Sequence, residues 1–337
     1  MSISPVSQPI NLCSDWKAEL SHCVSSIDEL LNQLGLKAED LNATAQAATE
    51  FAIKVPQPFV QLMEYGNPND PLLKQVLPIA SELQIDGNFS TDPVGESSFN
   101  PVPGIVHKYR NRVLMIISPN CAINCRYCFR RHFPYDENRQ SKQQWLKALD
   151  YLKAKPEINE VIYSGGDPLA ANDHFLGWLT AEIESIPHIK RLRIHTRLPV
   201  VIPSRIDDQL LSWLGNTGLK PTLVVHINHA NEIDEALIKG VDRLKKSGIN
   251  VLNQSVLLKG INDSSDQLIS LSEKLFDTGI MPYYLHMLDP VQGASHFDVS
   301  KDRAVEIFRQ IQAQLPGFLV PKLVQERAGE SSKSLIL

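Results

Sequence analysis

Residues 121–131 read Cys-Ala-Ile-Asn-Cys-Arg-Tyr-Cys-Phe-Arg-Arg, and the spacing of the cysteines in this stretch is the most informative feature of the chain. Cys121, Cys125 and Cys128 form a CxxxCxxC pattern. Thiolates at this spacing on a short loop can hold three irons of one four-iron, four-sulfur cube. The fourth iron then stays open to a ligand from outside the protein. We therefore predict a 4Fe–4S cluster with one exchangeable position.

Other interpretations of these cysteines are a zinc knuckle, a disulfide pair, or unrelated thiols in the core. A structural zinc site as a rule takes four ligands, and the other cysteines, Cys13 and Cys23, lie far upstream. The lack of a nearby fourth cysteine also argues against a simple electron carrier, which usually holds its cube with four thiolates. The pattern thus favours a cluster that binds a further molecule.

Composition and charge are those of an ordinary globular protein. Of the 337 residues, 43% are hydrophobic and 21% are charged, and the formal net charge is -5. This charge gives no general attraction to nucleic acid. The N-terminus does not resemble a signal peptide, no apolar run reaches the roughly 20 residues of a membrane span, and the cysteines do not form a disulfide framework. We expect a cytoplasmic protein without a membrane or nucleic-acid partner.

The chain after residue 110 alternates between short apolar strands and amphipathic helices. The predicted strands span residues 112–118, 160–163, 191–196, 222–227, 251–257 and 283–287. The predicted helices span residues 143–153, 175–185, 207–214, 233–246, 266–276 and 301–315. Apolar strands that alternate with helices form parallel sheets with right-handed crossovers. Six such units, short of the eight in a closed barrel, predict an α/β fold with a (β/α)6 partial TIM-type barrel.

Four segments are predicted in chain order: an N-terminal helical subdomain over residues 1–85, a loop-like lead-in over 86–110, the α/β core over 111–330, and a C-terminal tail over 331–337. Within the first segment, residues 1–13 are expected to form a loose tail. From Asp15 to Leu34 apolar residues recur at helical spacing, and Gly35 predicts the end of this helical pattern. The first segment contains no constellation of catalytic residues.

Polar residues cluster where the predicted strands end, which is where sites form in parallel α/β folds. The groups are the cysteine loop after the first strand, Ser164-Gly165-Gly166-Asp167-Pro168 after the second, His195-Thr196-Arg197 at the third, His226-Ile227-Asn228-His229 at the fourth, Asn253-Gln254-Ser255 in the fifth, and Tyr284, His286 and Asp289 at the sixth. Polar residues scattered at random over loops would not give this bias. We predict that these residues converge on one site.

The CxxxCxxC pattern, with Tyr127 directly before its last cysteine, resembles the radical S-adenosylmethionine (SAM) enzymes. The resemblance implies that the open iron chelates the methionine part of SAM and that one electron splits the sulfonium to give a radical. The stretch Ser164-Gly165-Gly166-Asp167 resembles the GGE-type motif of that family, with Asp167 in place of Glu. We expect its glycines to leave room for the cofactor, although a simple turn is the alternative. His226 and Gln254 are predicted SAM contacts from their positions alone.

A series of motifs over roughly residues 100–333 resembles the lysine 2,3-aminomutase branch of that family. The motifs are Asn-Arg-Val-Leu at 111–114, Cys-Arg-Tyr-Cys-Phe-Arg-Arg at 125–131, Tyr-Ser-Gly-Gly-Asp-Pro-Leu at 163–169, His-Ile-Asn-His-Ala-Asn-Glu at 226–232, Asn-Gln-Ser-Val-Leu-Leu-Lys-Gly-Ile-Asn-Asp at 253–263, and Pro-Tyr-Tyr-Leu-His-Met-Leu-Asp at 282–289. The ordered series is more specific than any one motif. It implies an isomerase with the partial-barrel fold.

The resemblance also implies pyridoxal 5′-phosphate (PLP) on a lysine near the C-terminus. Lys333, in Ala-Gly-Glu-Ser-Ser-Lys-Ser at 328–334, is the matching residue. Arg112 matches an arginine near that cofactor, and a guanidinium suits a phosphate. The alternative for Lys333 is a solvated tail lysine. Its small neighbours would let the tail fold back to the mouth of the barrel.

Three further residues match substrate contacts of the branch. Arg130 matches the arginine that holds the substrate carboxylate, and Asp289 and Glu326 match two acids that receive the side-chain ammonium of lysine. Two acids favour a diamino acid, because a buried acid left unpaired penalises other substrates. Glu326 replaces the Asp of the relatives, which keeps the charge and adds one methylene of reach. Surface ion pairing is the alternative for these residues.

The implied reaction converts L-lysine to (R)-β-lysine and uses the 4Fe–4S cluster, SAM, PLP and an electron donor such as flavodoxin or ferredoxin. The chain most resembles a short bacterial subgroup that makes β-lysine for the modification of elongation factor P, so a β-lysine ligase and that factor are expected functional partners. The short form implies that the zinc-binding C-terminal segment of other members is absent. The alternatives are a radical SAM enzyme without PLP or with another amino acid as substrate, such as glutamate or arginine, and a non-catalytic iron–sulfur protein.

Overall fold

The computed structural model describes residues 15–138, 140–327 and 329–336, and a nine-stranded sheet forms its centre. The predicted tail over residues 1–13 lies outside the described residues. The strands are β1 (Ile105–Tyr109), β2 (Arg112–Ser118), β3 (Glu160–Gly165), β4 (Arg191–Thr196), β5 (Lys220–Val225), β6 (Asn250–Val256), β7 (Met281–His286), β8 (Lys322–Gln325) and β9 (Ser334–Leu335). The α-helices are α1 (Trp16–Ser21), α2 (Ile27–Gln33), α3 (Ala45–Glu50), α4 (Gln57–Val60), α5 (Lys142–Lys153), α6 (Asp173–Glu184), α7 (Leu198–Val201), α8 (Asp208–Gly215), α9 (Glu235–Lys246), α10 (Ser265–Thr278) and α11 (Lys301–Gln314).

The strands lie side by side in the order in which they occur along the chain. Strands β2 to β8 are parallel, whereas β1 and β9 pair antiparallel at the two edges. Right-handed crossovers without a reversal of strand order place the connecting helices on one face of a sheet. This is the arrangement of a (β/α) barrel and not of a doubly wound sheet. The predicted partial-barrel fold is confirmed.

All of the predicted strands and helices of the core are present, with ends that differ by a few residues at most. The sequence missed β8, a seventh parallel strand, which has only four residues and follows a proline. It also missed β1 within the predicted lead-in loop. Strand β1 forms a tight hairpin with β2, in which Tyr109 pairs with Arg112. Strands this short carry little periodicity from which they can be predicted.

The N-terminal helical pattern is interrupted, which corrects the prediction of one continuous stretch from Asp15 to Leu34. Between α1 and α2, Val24 forms a backbone bridge with Val55, with N–O distances of 2.8 and 2.9 Å. Ser26 then begins α2, because its side chain accepts a hydrogen bond from the backbone N–H of Glu29. The chain leaves the helix to pair with a later segment of the same subdomain.

The N-terminal segment shares its hydrophobic core with the barrel. Trp16, Leu30 and Phe59 belong to the same cluster of buried side chains as Met115 and Leu323 of the sheet. The segment also contacts the cysteine loop, because Lys54 Nζ donates to the carbonyl of Cys121 at 2.8 Å and the backbone N–H of Asn124 donates to the carbonyl of Lys54 at 3.0 Å. Among the described helices, none has the length and apolar character to cross a membrane.

Candidate active site

The cysteine loop begins directly after β2, and its cysteines are free and half-buried. The backbone N–H of Cys128 donates to the carbonyl of Cys125 at 3.0 Å, which turns the loop back on itself. Burial, together with the charge of neighbouring thiols, raises the pKa of Cys121 well above its usual range and that of Cys128 to about 11. A bound cation would favour the thiolate form here, because it offsets the cost of a buried negative charge.

The donor set fits a cube better than a single ion. Across residues 15–138, 140–327 and 329–336, no group of three His, Cys, Asp or Glu side chains converges on one metal-ion position. A cube does not require such convergence, since each thiolate binds its own iron. Cys121, Cys125 and Cys128 would supply three corners and leave the fourth iron for SAM.

The N-terminal segment holds the cysteine loop through a buried carboxylate that the sequence did not reveal. Glu82 accepts hydrogen bonds from Arg126 Nε and Nη2 at 2.8 and 2.6 Å and from Arg131 Nη2 at 3.1 Å. Arg126 also donates to the carbonyls of Phe51 and Ala47. The two arginines flank Cys128 in sequence. The described part of this segment, residues 15–85, thus does more than pack, because it fixes the loop that carries the cysteines.

The glycines after β3 are required by the backbone of the cysteine loop. A Cβ atom on Gly165 would lie 2.5 Å from the carbonyl oxygen of Ser118, and one on Gly166 would lie 2.7 Å from that of Pro119. Gly165 also has a φ of +126°, which favours glycine. The expectation that these glycines make room for a cofactor is therefore incomplete. They first allow two segments of the chain to touch.

The Asp167 carboxylate joins the ends of β3 and β4. Its oxygens accept from the Thr196 hydroxyl at 2.7 Å and from the backbone N–H groups of Leu169, Arg197 and Leu198 at 2.8 to 3.0 Å. Burial raises the pKa of Asp167, and these hydrogen bonds act in the opposite direction. All of these donors belong to the chain itself. Asp167 therefore acts on the site by fixing the backbone that follows β3 and β4.

Arg130 lies inside the site, where a second missed acid binds it. Its Nε and Nη2 donate to Glu96 at 2.7 and 2.6 Å, while Nη1 donates to Ser164 Oγ at 2.8 Å and to the carbonyl of Gly165 at 3.3 Å. Burial alone would lower the pKa of Arg130, but the charge of Glu96 raises it. Arg130 is buried and not a surface ion-pair partner.

His226, directly after β5, and Gln254, in the neighbouring strand β6, are in direct contact. Gln254 Nε2 donates to His226 Nε2 at 2.9 Å. Burial lowers the pKa of His226 to about 3, so the imidazole is neutral and can accept this bond. Burial also lowers the pKa of His195, whose ring packs edge-on against His226 at 6.0 Å between centroids. The two predicted SAM contacts thus belong to one neutral polar patch.

The two edges of the sheet meet at Glu326, directly after β8. Its Oε1 accepts from Lys108 Nζ at 2.8 Å and from the Tyr109 hydroxyl at 2.6 Å, both in β1. Its Oε2 accepts from Lys333 Nζ at 2.8 Å. Burial acts to raise the pKa of Glu326, but the charge of Lys333 and these hydrogen bonds bring it down to about 2.

Lys333 is therefore not a solvated tail lysine. Strand β9 pairs antiparallel with β8 and carries the preceding Lys333 back to the barrel. Its Nζ also lies 5.9 Å from the centroid of the Tyr284 ring. Arg112 lies near the same group, because its guanidinium stacks on Tyr109 at 4.2 Å from the ring centroid. The structure thus brings Lys333, Arg112 and Glu326 together.

Asp289 has unmet hydrogen-bonding capacity. Its Oδ1 is shut off from solvent and finds no hydrogen-bond partner within the described part of the chain, and the same holds for Nε2 of His195 and of His286. Burial raises the pKa of Asp289 to about 7, although the charge of Lys333 lowers it. Buried polar atoms without partners are unusual in a finished core and mark a place where a polar ligand fits.

Sequence patterns did not indicate four residues that lie at the site, Glu82, Glu96, Lys108 and Tyr109. Arg197 was noted at the end of a strand, but its contact with Cys125 Sγ at 2.7 Å was not foreseen. A charged residue inside the predicted lead-in or N-terminal segment gives no local signal of burial. The hydrogen-bond partners of these residues are distant in sequence and are identified only from the folded structure.

The chain is similar to known proteins over nearly its whole length. The family model described as "Radical SAM superfamily" matches residues 115–271. The chain is 52% identical to L-lysine 2,3-aminomutase of Escherichia coli (strain K12) over 95% of this chain and 94% of the relative. It is 51% identical to the Haemophilus influenzae protein of that name over 99% of both chains, and 48% identical to the Buchnera aphidicola protein over 96% and 95%.

These matches confirm the resemblance found in the sequence, with the 4Fe–4S cluster and SAM as cofactors of the superfamily. The relatives agree with the chain over nearly their whole lengths, so the match is not confined to a shared barrel. The chain is therefore an isomerase of the radical SAM L-lysine 2,3-aminomutase family.

Proposed function

We propose that this protein is a PLP-dependent L-lysine 2,3-aminomutase that converts L-lysine to (R)-β-lysine. The observation that carries the proposal is the position of Lys333, whose Nζ lies 2.8 Å from Glu326 Oε2 inside the site. The relatives from Escherichia coli and Haemophilus influenzae are named for this activity. Lys333 and Glu326, which the motifs single out for PLP and for the substrate ammonium, are in direct contact, and Lys333 lies close enough to Asp289 for its charge to act on that carboxyl.

The surroundings of Lys333 fit PLP. Lys333 would carry the cofactor covalently, and Arg112 supplies a guanidinium for its phosphate. Tyr109 and Tyr284 provide aromatic surface beside these two residues. When bound, PLP holds the migrating amino group, while the cluster and SAM supply the radical that removes and returns hydrogen. The protein contributes position and charge.

The acids of the site fit the side-chain ammonium of lysine. The ammonium of Lys333 sits on Glu326 Oε2 and lowers the pKa of Asp289 through its charge. Glu326 thus already binds a group of the same chemical type as the side chain of the substrate. Glu326 Oε2, together with Asp289 Oδ1, which has no hydrogen-bond partner among the described residues, would receive the side-chain ammonium of the substrate.

Arg130 is the group for the substrate carboxylate in this proposal. Its Nη1 donates to Ser164 Oγ and the Gly165 carbonyl, and its other edge is paired with Glu96. A substrate carboxylate therefore exchanges with one of these acceptors when it binds. The Arg130 guanidinium therefore has hydrogen-bond partners both with and without bound substrate. A buried charge needs such partners, because leaving it unpaired is costly.

Cys121, Cys125 and Cys128 are the proposed cluster ligands. SAM would then lie against Ser164, Gly165, Gly166 and the backbone at Asp167 on one side and against His226 and Gln254 on the other. The neutral imidazole of His226 suits a cationic sulfonium better than an imidazolium would. We place the reaction in a reducing compartment such as the cytoplasm, in keeping with the free cysteines.

The test compares Lys333→Ala with Lys322→Ala, an exposed lysine on β8. Each full chain is purified without oxygen, loaded with iron, sulfide and PLP, and assayed with SAM, dithionite and L-lysine. PLP fixed by borohydride, 5′-deoxyadenosine and β-lysine are measured separately. We expect Lys322→Ala to resemble the wild type and Lys333→Ala to lose both fixed PLP and β-lysine.

Full β-lysine formation by Lys333→Ala would overturn the PLP assignment. A wild-type chain that forms 5′-deoxyadenosine but fixes no PLP would instead be a radical SAM enzyme of another kind. The stereochemistry is read from the product on a chiral column.

The use of the product is a separate part of the proposal. We place it in the β-lysylation of elongation factor P through a β-lysine ligase, with flavodoxin or ferredoxin as the electron donor. The support is the resemblance of the chain to the subgroup with that role. Deletion of the gene should remove the added mass of β-lysine from the factor, and an unchanged mass would refute this assignment.

A further inference from the structure

Arg197 is a buried arginine whose guanidinium lies against one of the candidate cluster ligands. It follows β4 directly, is 5% exposed, and donates from Nη1 to Cys125 Sγ at 2.7 Å. The same Nη1 contacts the hydroxyl of Tyr127. A charged N–H group therefore points at the sulfur that would bind iron.

Hydrogen bonds to the second terminal nitrogen of the Arg197 guanidinium, Nη2, hold Nη1 toward Cys125. Nη2 donates to Gln75 Oε1 at 2.7 Å and to Glu232 Oε2 at 3.0 Å. Glu232 is fully buried and is itself held by Gln75 Nε2 and by the backbone N–H groups of Asn228 and His229. With Nη2 bound in this way, Arg197 cannot swing away from Cys125 without leaving Glu232 unpaired, which is costly in the interior.

Hydrogen bonds to cluster sulfurs and nearby positive charge affect the reduction potential of an iron–sulfur cluster. Reduction adds one negative charge to the cluster, and a fixed cation beside a ligand sulfur stabilises that charge. The interaction is strong here because the pair is shielded from solvent.

We propose that Arg197 sets the reduction potential of the 4Fe–4S cluster, raising it through its charged hydrogen bond to Cys125. Gln75 and Glu232 act as positioning residues that hold the guanidinium on the sulfur. This role is separate from ligation of the cluster. A residue outside the CxxxCxxC loop controls the potential at which the cluster accepts an electron. The inference rests on Cys125 as a cluster ligand and on no property of PLP or lysine.

The test is a redox titration of the reconstituted full chain, followed by the electron paramagnetic resonance signal of the reduced cluster. Arg197→Gln removes the charge, Arg197→Lys keeps it without the planar fork, and Arg205→Gln is the matched control. Arg205 is equally buried and ion-paired, with Asp173, and none of its hydrogen bonds within the described residues goes to a thiol. We expect a lower midpoint potential for Arg197→Gln, an intermediate value for Arg197→Lys, and the wild-type value for Arg205→Gln.

An unchanged or higher potential in Arg197→Gln would overturn the inference, as would an equal shift in the Arg205→Gln control. If Arg197→Gln fails to take up iron, Arg197→Lys decides, and a wild-type potential in that variant also refutes the role. A wild-type chain that binds no cluster, or a Cys125→Ala chain that binds it normally, would instead remove the ligand assignment on which the proposed function depends.

Discussion

Replacement of Glu82 by alanine tests whether the N-terminal segment holds the cysteine loop. The change removes the one carboxylate shared by Arg126 and Arg131, whose side chains are 0% and 1% exposed. Loss of one partner from a buried ion pair costs about 3–5 kcal/mol, because the other charge stays buried without compensation. A single domain is stable by about 5–15 kcal/mol. We therefore expect a large loss of stability, and with it a poorly held cysteine loop.

The assay is urea unfolding of the cluster-free chain, followed by circular dichroism, together with the iron bound per chain after anaerobic reconstitution. Glu306→Ala is the matched control, because its ion pair with Arg303 is about half exposed and such pairs contribute about 0–1 kcal/mol. Glu82→Ala should unfold at clearly lower urea than this control and bind less iron. If the two variants unfold within about 1 kcal/mol of each other and bind iron equally, the reasoning is wrong.

Three further changes test individual contacts. Gly166→Ala should bind less iron than Gly87→Ala, because its Cβ would meet the Pro119 carbonyl oxygen at 2.7 Å whereas the Cβ at Gly87 meets no atom within 4 Å; equal iron content would contradict this. The pKa of Asp289 is raised from its ordinary 3.8 to about 7. The stability of the folded state therefore falls as pH rises through that range, because the buried carboxyl resists ionisation. Asp289→Asn should therefore melt above the wild type at pH 8 and approach it near pH 4, and a gap that does not depend on pH would refute the assignment. The pKa of Glu326 is lowered from 4.5 to about 2, so its stabilisation is present above pH 4.5 and is lost as pH falls through about 2. Glu326→Gln should melt below the wild type at pH 7, with a gap that narrows toward pH 2; equal melting temperatures at pH 7 would argue against the contacts of Glu326.

The core strands could be predicted because each is a short run with apolar or β-branched residues between two amphipathic helices. Strands β1 and β8 were not predicted, because each is short, shows little local pattern and is stabilised by pairing with a neighbouring strand. The break between α1 and α2 has the same origin. Val24 sits in a helical repeat, yet its backbone pairs with Val55. Tertiary contacts overrode local propensity at each of these points.

The sequence indicated candidate site residues where chemistry imposes a spacing, as in the cysteine loop, or where a motif matches, as at Lys333. The buried ion pairs were not predictable. Glu96 and Arg130 are 34 residues apart, and Glu82 and Arg126 are 44 apart. An acid in a polar stretch has the same local sequence whether it ends in solvent or against a buried arginine. Gly165 and Gly166 were recognised, but the partner that requires them, the backbone of residues 118–120, was not.

The order of the strands has a consequence for how the protein is made. Each strand pairs with the strand synthesised immediately before it, so the sheet can grow as the nascent chain leaves the ribosome. The N-terminal helical segment, which holds the cysteine loop through Glu82, is synthesised before the loop itself. Strand β9, which carries Lys333 to Glu326, emerges after the other eight strands of the sheet. A nascent chain therefore has its cysteine loop supported long before Lys333, the proposed PLP lysine, can reach Glu326.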